Sequence, residues 1–206
     1  MRNRPRLLPS IKACLICLHV DLFTIDKKVN FYEGVDDLTS FEKLVLVFED
    51  RRFFRHGGFD FIALLREFTK ICRWRRHGGA STIDMQFVRT ATGYKEKTIK
   101  RKLYEMLLAT IIQWRYTKVQ ILRSYLDCAF FGSKMIGANV ASYKAYERPL
   151  YKLSIEQSAQ LAAMLVFPRP LRPQENWWQR IRQRSAYGLR RLDRFEKSFE
   201  KIPPGK

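Results

Sequence analysis

Hydrophobic residues recur three and four positions apart along most of the chain, which predicts a mainly α-helical protein with few strands. Thr39 and Glu42 have the spacing of a capping box, so a first helix is expected to begin near Ser40 and to carry FEKLVLVFED. This segment is apolar on nearly every side, which places it in the core. Glu49 is therefore expected at the end of a buried helix rather than on a solvated face.

The remaining elements are predicted from the same periodicity and from turn residues. In the first half of the chain, the first helix is predicted to end at Gly57 and Gly58, and a second helix to begin after its cap, Asp60. A turn over 75–82 and a short helix IDMQFVRT are predicted next, followed by a polar, mobile loop over 91–98. The second half gives a helix over 118–131 closed by Gly132, a helix from the capping box of Ser154 and Gln157 to Pro168, and a basic amphipathic helix over 174–199.

The helix that begins near Ile99 has the strongest periodicity. Its predicted apolar stripe consists of Ile99, Leu103, Met106, Leu107, Ile111 and Trp114. Arg101 and Glu105 are four residues apart on the opposite side, which also carries Leu108 and Ile112. A helix with apolar residues on both sides is expected to be central, so the charged pair is predicted to line a cleft. The alternative is a surface ion pair worth a few tenths of a kcal/mol.

Composition supports one substantial globular domain. The chain has 206 residues, of which 46% are hydrophobic and 14% aromatic, and this excludes disorder of the whole. The formal net charge of +19 predicts a polyanionic partner: nucleic acid, an acidic membrane surface or a phosphorylated substrate. Charge alone does not choose among these three.

The amino-terminal segment and the cysteines leave several alternatives open. MRNRPR is followed by an apolar stretch that Lys12, His19 and Asp21 interrupt, whereas a membrane-spanning helix needs about 20 mostly apolar residues. A degenerate signal or anchor, an interfacial helix and an ordinary packed helix all remain. The single CxxC at Cys14 and Cys17 lacks the further ligands of a zinc site, so neither a metal site nor a disulfide framework is assigned.

Five blocks between residues 44 and 173 match the motifs of one enzyme family, in the family's order. They are Glu49, Asp50, Phe53, His56 and Gly58; GASTIDMQFVRT from Gly79 to Thr90; Arg101, Lys102, Glu105 and Ala109; ILRSYLD from Ile121 to Asp127, followed by Phe131 and Gly132; and LSIEQSAQLAAMLVFPRPLRP over 153–173. The chain therefore resembles the peptidoglycan glycosyltransferases of family 51, which occur as monofunctional transglycosylases and as domains of bifunctional penicillin-binding proteins.

The resemblance implies a fold and a domain plan. The expected fold is all-α and lysozyme-like, with a large lobe and a smaller mobile lobe around the loop over 85–100. Residues 1–38 would form an amino-terminal leader or membrane-proximal segment, 39–175 the glycosyltransferase domain, and 176–206 a basic amphipathic helix.

The resemblance also implies an inverting reaction that joins lipid-linked disaccharide units (lipid II) into a growing glycan strand through β-1,4 bonds and releases polyprenyl diphosphate. Such a displacement needs a base on one side and stabilisation of the leaving group on the other. Burial raises the proton affinity of a carboxylate, which suits the base. Matched to the family, Glu49 is the base and Glu105 the second catalytic glutamate.

The other motif residues have implied roles in binding or in shape. The expected substrate-binding residues are Ser81, Thr82, Gln86, Arg89, Arg101 and Lys102, with Arg101 and Arg89 at the diphosphate, where cations stabilise growing charge. Asp50, Phe53, His56 and Gly58 are expected to hold the first motif in shape. No metal ligand is assigned and no cofactor is required, although a divalent cation (magnesium or manganese) at the diphosphate stays open.

Several motif positions differ from the family pattern. Asp84 stands for Thr, Met85 for Gln, Arg89 for Lys, Thr90 for Asn, Arg123 for Glu and Asp127 for Asn. Because Glu49, Arg101 and Glu105 are kept, activity is expected. Three alternatives remain: a nucleic-acid-binding protein with an arginine- and tryptophan-rich tail, a lysozyme-like hydrolase, and a non-catalytic scaffold.

The expected partners and location come from the same resemblance. The partners are lipid II, the growing glycan strand, an anionic membrane surface and other cell-wall synthesis proteins, with no specific nucleic acid. The expected location is the outer, periplasmic face of the bacterial inner membrane, with an anchor that the sequence does not identify.

Overall fold

The computed structural model describes residues 11–30, 37–72, 81–94, 96 and 98–199. In these residues the helices are α1 Ile11–Asp26, α2 Ser40–Glu49, α3 Phe61–Cys72, α4 Ile83–Thr92, α5 Ile99–Ile112, α6 Lys118–Cys128, α7 Ala138–Tyr146, α8 Ile155–Val166 and α9 Glu175–Phe199. One antiparallel hairpin joins β1 Phe130–Gly132 to β2 Met135–Ile136, and short 3-10 turns cover Phe53–Arg55 and Leu150–Lys152. The predicted all-α class is confirmed.

Some predictions lie outside the described residues. These are the basic start of the chain at 1–10, the turn residues 75–80 with Gly79 and Ala80 of the second motif, and the tail at 200–206. The division of the chain at residues 38 and 175 stays a prediction.

The predicted helix starts are confirmed by their caps. The N–H of Thr39 donates to Glu42 Oε2 at 2.8 Å, and the N–H of Glu42 donates to Thr39 Oγ1 at 3.2 Å. Ser154 and Gln157 make the same reciprocal pair at the start of α8. Oδ1 of Asp60 accepts hydrogen bonds from the first turn of α3. Each cap satisfies N–H groups that have no partner inside the helix.

Three predicted helix ends were wrong. α2 ends at Glu49, well before the glycines, because Asp50 takes a non-helical conformation and the chain turns into the 3-10 segment. α6 ends at Cys128 rather than at residue 131, since residues from Phe130 onward pair as a hairpin. α4 also continues two residues into the predicted loop, to Thr92.

Helix α2 lies at the centre of the core. It packs against α8 and α9, while α4 packs against α6, α5 and α1. Leu44, Val45 and Leu46 are fully buried on successive sides of α2, as its apolar sequence predicted. A hydrogen bond from Gln86 to Glu49 places the carboxyl-terminal end of α2 beside α4.

The prediction that α5 is a central helix was wrong, because one of its two apolar sides is exposed. Ile99, Leu103 and Leu107 are 81%, 59% and 48% exposed, whereas Leu108 and Ile112 are fully buried. Periodicity identified two apolar sides but could not tell which one the core covers. The side that carries Arg101 and Glu105 faces the core, and this pair, predicted to line a cleft, is largely buried.

Helix α1 is partly packed and partly exposed. Leu22 and Ile25 lie in the core, and Oδ2 of Asp21 accepts a hydrogen bond from the hydroxyl of Tyr104 on α5 at 2.7 Å. The outer side exposes apolar residues: Ile11, Leu15, Ile16, Val20 and Phe23. Among the described residues, no helix combines the length and apolar character that crossing a bilayer demands.

Candidate active site

Glu49 is held by a side-chain amide from α4. Nε2 of Gln86 donates to Oε2 of Glu49 at 2.8 Å, and the hydroxyl of Tyr125 on α6 donates to Oε1 of Gln86 at 2.8 Å. Burial raises the pKa of Tyr125, and the charge of Glu49 adds to this rise, so the phenol stays a donor. The side-chain amide of Gln86 is thereby held by a hydrogen bond at each end, and it orients the carboxylate of Glu49.

Glu49, predicted to lie at the end of a buried helix, is itself partly exposed. The last turn of α2 emerges from the core, so one side of the carboxylate is open to a substrate. Partial exposure suits a base that must reach a hydroxyl group on a bound molecule.

Asp50 and His56 connect the end of α2 to the start of α4. Oδ2 of Asp50 lies 2.9 Å from Nε2 of His56 and accepts a hydrogen bond from the N–H of Ile83 at 3.2 Å. Phe53 is 1% exposed, and its ring packs edge-on against the ring of His56. These contacts fit the structural roles expected of the first motif.

Gly58 and Thr82 form a close contact beneath the site. Gly58 has a φ of +99°, and a Cβ there would lie 2.5 Å from the carbonyl oxygen of Ala109 on α5. The hydroxyl of Thr82 donates to the carbonyl of Gly58 at 2.6 Å and accepts from the N–H of Met85 at 3.2 Å. Thr82 was predicted to contact substrate, but its hydroxyl is buried and used within the protein.

Asp84, which replaces the usual Thr, is fully buried beside a cation. Nζ of Lys118 lies 3.2 Å from its Oδ2, and the side-chain amide of Gln113 donates to its Oδ1. Burial raises the pKa of Asp84 and lowers the pKa of Lys118, while their mutual attraction opposes both shifts. Nζ of Lys118 also lies 4.4 Å from the ring centre of Phe53. The negative charge that Asp84 brings to this motif position is therefore balanced by the positive charge of Lys118.

Asp50, His56 and Asp84 also have a spacing that could hold a metal ion. However, the two imidazole nitrogens face different carboxylates: Nε2 lies 2.9 Å from Asp50 and Nδ1 lies 3.9 Å from Asp84. Lys118 already brings a positive charge to Asp84. Asp50 and Asp84 therefore already have partners within the protein, in His56 and Lys118, and these contacts favour a structural role over a metal centre.

Arg101 and Glu105 form a buried pair on α5. Nε of Arg101 lies 3.1 Å from Oε1 of Glu105, and their side chains are 14% and 1% exposed. Within the described part of the chain, neither oxygen of Glu105 accepts a well-formed hydrogen bond. A buried carboxylate with unused oxygens is costly unless something else binds it. The pair therefore has capacity for a further ligand.

Lys102 and Arg89 add positive charge beside this pair. Nζ of Lys102 donates to Oγ of Ser81 at 2.6 Å. Burial lowers the pKa of Lys102; the nearby Glu105 opposes that shift, whereas Arg89 and Arg101 add to it. Arg89 is partly buried, and its guanidinium makes no hydrogen bond or ion pair with the described residues. Lys102 thus lies within electrostatic range of Glu105 and of two further cations, Arg89 and Arg101.

Arg89 links the two halves of the site. Its charge opposes the rise that burial gives the pKa of Tyr125, on the Glu49 side, and adds to the fall that burial gives the pKa of Lys102, on the Glu105 side. The structure therefore brings the predicted base and the predicted diphosphate-binding residues to one region on α2, α4 and α5.

Arg123, which replaces the usual Glu of the fourth motif, has a structural partner of opposite charge. Its Nε donates to Oε1 of Glu42 at 2.7 Å, at the amino-terminal end of α2. The positive charge of Arg123 is therefore paired with Glu42, and this pair lies at the end of α2 that is opposite to Glu49.

The sequence did not assign roles to Tyr125, Lys118 or Gln113. Tyr125 lies inside the fourth motif, and an aromatic residue with a polar tip on a buried helix was an available signal. An acid at a buried position such as Asp84 requires a cation, but spacing alone does not identify Lys118 as that cation.

Comparison with known proteins gives an independent result. The sequence model of the Transglycosylase family matches residues 29–193. Penicillin-binding protein 1A of Rickettsia typhi is 33% identical over 148 residues, covering 70% of this chain and 19% of the relative. Penicillin-binding protein 2a of Streptococcus pneumoniae is 33% identical over 147 residues, covering 71% of this chain and 20% of the relative.

A relative from Cupriavidus necator, named as a transglycosylase, is 34% identical over 148 residues, covering 72% of this chain and 64% of the relative. The chain spans about a fifth of the length of the two penicillin-binding relatives. The fold and the match together define the class: an all-α, lysozyme-like transglycosylase domain. The chain belongs to the transglycosylase family, and the predicted resemblance is confirmed.

Proposed function

We propose that this protein polymerises peptidoglycan glycan strands from lipid II. One arrangement carries the proposal. Gln86 holds the partly exposed Glu49 on one side of the site, while on the other side Arg101 pairs with Glu105, and Lys102 lies within electrostatic range of Glu105, Arg101 and Arg89. A base opposite a group of cations is what the displacement of a diphosphate by a hydroxyl requires. Membership of the transglycosylase family supports the same conclusion.

Glu49 acts as the general base. It takes the proton of the 4-hydroxyl of the acceptor sugar as that oxygen attacks the anomeric carbon of the donor. The new carbon–oxygen bond forms as the bond from the anomeric carbon to the diphosphate oxygen breaks, and the leaving diphosphate takes the electron pair. Attack on the face opposite the leaving group turns an α-linked donor into a β-1,4 bond.

The cations bind the diphosphate as its charge grows. Arg101 and Arg89 can each offer two parallel N–H groups to phosphate oxygens, and Lys102 acts as a point charge. Fixed positive charge in a partly buried site stabilises the leaving group more than it would in water. Ser81, through its contact with Lys102, orients that ammonium group.

Glu105 also suits a divalent cation. Magnesium commonly binds through one or two carboxylates together with substrate phosphates, and Glu105 has buried oxygens to which no described residue donates a well-formed hydrogen bond. A bound magnesium or manganese ion would neutralise charge on the diphosphate. Without it, the chain still provides three cations at the same place.

The proposed substrate is a membrane lipid, so the protein must meet a membrane surface in the cell envelope. Two adjacent helices expose apolar residues, with Phe23 and Val20 among them on α1, and Leu103 and Leu107 on α5. Such surfaces bind the boundary between headgroups and acyl chains. We assign them to contact with the outer face of the inner membrane, with growing glycan and other cell-wall synthesis proteins as further partners.

Product analysis tests the proposal. The chain would be incubated in detergent with lipid II, and the products separated by length before and after digestion with a muramidase that cuts β-1,4 bonds. We expect long products that the muramidase degrades. Release of free disaccharide, or cutting of preformed glycan, would instead support the hydrolase alternative.

A further inference from the structure

Helix α9 contacts the residue that immediately precedes the proposed base. Gly188 lies against the ring of Phe48, so close that a Cβ at Gly188 would be 2.3 Å from Cζ of that ring. Glycine is a poor helix former, yet Gly188 is in the interior of a 25-residue helix. The ring of Phe48 therefore occupies the space that a side chain at Gly188 would take, and a larger residue there would displace the ring.

Arg184, one turn before Gly188 on α9, also contacts Phe48, from a second direction. Nη2 of Arg184 donates to the carbonyl oxygen of Phe48 at 3.3 Å, and its guanidinium lies 4.9 Å from the centre of the Phe48 ring. The last carbonyls of a helix have no partner inside it and carry partial negative charge. Arg184 therefore caps the end of α2 at which Glu49 is attached.

The contact extends along both helices. Nζ of Lys43 lies 2.8 Å from Oε1 of Glu196, so α9 runs antiparallel to α2 and is joined to it near both ends. Phe48 is thereby enclosed by Gly188 and Arg184 on α9, while the next residue, Glu49, receives the amide of Gln86 from α4. The carboxylate is positioned from two independent sides.

We infer that Gly188 and Arg184 are positioning residues that set the place of Glu49 through Phe48. This inference rests on the proposed function, and neither residue touches the reacting atoms. A displacement of about 1 Å in a catalytic group can reduce the rate on the order of 100-fold without removing any contact to substrate. Loss of the positioning is therefore expected to lower kcat while KM for lipid II stays near its native value.

The test compares Gly188→Ala, the double variant Gly188→Ala with Phe48→Leu, and the control Arg182→Met on the exposed side of α9. We expect Gly188→Ala to lower kcat on the order of tenfold. The smaller leucine side chain of the double variant should restore most of the loss, and the control should match the native chain. A native kcat in folded Gly188→Ala, or a loss that the second substitution does not restore, would overturn the inference.

Two further measurements keep the test decisive. If Gly188→Ala does not fold, Arg184→Met takes its place, with the same expected fall in kcat at constant KM. Amide hydrogen exchange over residues 44–50 separates this inference from the proposed function. If the native chain makes no polymer, faster exchange in the α9 variant but not in Arg182→Met would still support the positioning role, and unchanged exchange would reject it.

Discussion

The side-chain amide of Gln86 donates to Glu49 at 2.8 Å and accepts from Tyr125 at 2.8 Å, so one residue of α4 joins the end of α2 to α6. The three residues come from segments far apart in the sequence. Because each end of the amide has a different partner, its orientation is fixed before any substrate arrives.

Replacing Gln86 by Leu removes this orientation while keeping the size of the side chain. We expect kcat for glycan polymerisation to fall by about 10- to 100-fold, with a smaller change in KM, since the carboxylate of Glu49 is no longer held in its orientation. Tyr125→Phe, which removes only the outer hydrogen bond, should cause a smaller fall. Steady-state kinetics measures both. Thr90→Ala, on the exposed side of α4, serves as the control, and a native kcat in Gln86→Leu would contradict the prediction.

The lowered pKa of Lys102 predicts the behaviour of the protein at alkaline pH. A lysine with a lowered pKa loses its proton at a lower pH than an ordinary lysine, so positive charge leaves the diphosphate site as the pH rises. Lys102→Arg keeps the charge and should move the alkaline loss of activity to higher pH. The measurement is a pH profile of kcat/KM, each variant scaled to its own maximum. Lys100→Arg, at an exposed position on α5, is the control. If Lys102→Arg and the native chain lose activity at the same alkaline pH, the charge of Lys102 does not set the alkaline side of the profile.

The buried pair of Asp84 and Lys118 predicts strong coupling in stability. Asp84→Thr or Lys118→Met alone leaves a buried charge without its partner, and each is expected to cost about 3–5 kcal/mol of unfolding free energy. The double variant should recover most of that loss, because no unpaired charge remains. Urea denaturation of the four proteins measures the coupling. Arg115→Met, which breaks a partly exposed pair with Asp26, should cost under about 1 kcal/mol. Additive losses at Asp84 and Lys118 would show that the pair is not a unit.

The apolar side of α5 predicts a contact with lipid. Leu103→Gln combined with Leu107→Gln should weaken binding to vesicles of phosphatidylglycerol by about tenfold or more, since each buried methylene contributes about 0.8 kcal/mol. Cosedimentation with the vesicles measures the loss. Leu171→Gln changes a leucine that is 70% exposed elsewhere and should bind as the native chain does. Equal binding by the double variant would move the membrane contact to another surface.

The sequence predicted the local features of the fold better than the long-range ones. The caps of α2 and α8 depend on residues three apart, so Thr39 and Ser154 could be identified directly. The exposure of Leu103 on α5 could not be predicted, because it depends on which of the two apolar sides of α5 the other helices cover. The end of α2 was also mispredicted, since it depends on contacts of Asp50 with α4.

The same distinction holds for the site. Glu49, Arg101 and Glu105 were identified by matching motifs, and in the structure α4 contacts both Glu49 and α5. The partners that hold them were not identified, because the contacts of Tyr125 with Gln86 and of Gly188 with Phe48 join segments 39 and 140 residues apart. Such contacts depend on packing between helices, which a single sequence does not specify.

The most direct test of the central claim compares polymer formation from lipid II by the native chain and by Glu49→Gln in detergent, with and without magnesium. The variant keeps the shape of the side chain but cannot accept the proton of the acceptor hydroxyl. We predict that the native chain makes glycan polymer and that the variant binds lipid II but makes almost none. Polymerisation by Glu49→Gln at the native rate would contradict the assignment of Glu49 as the base.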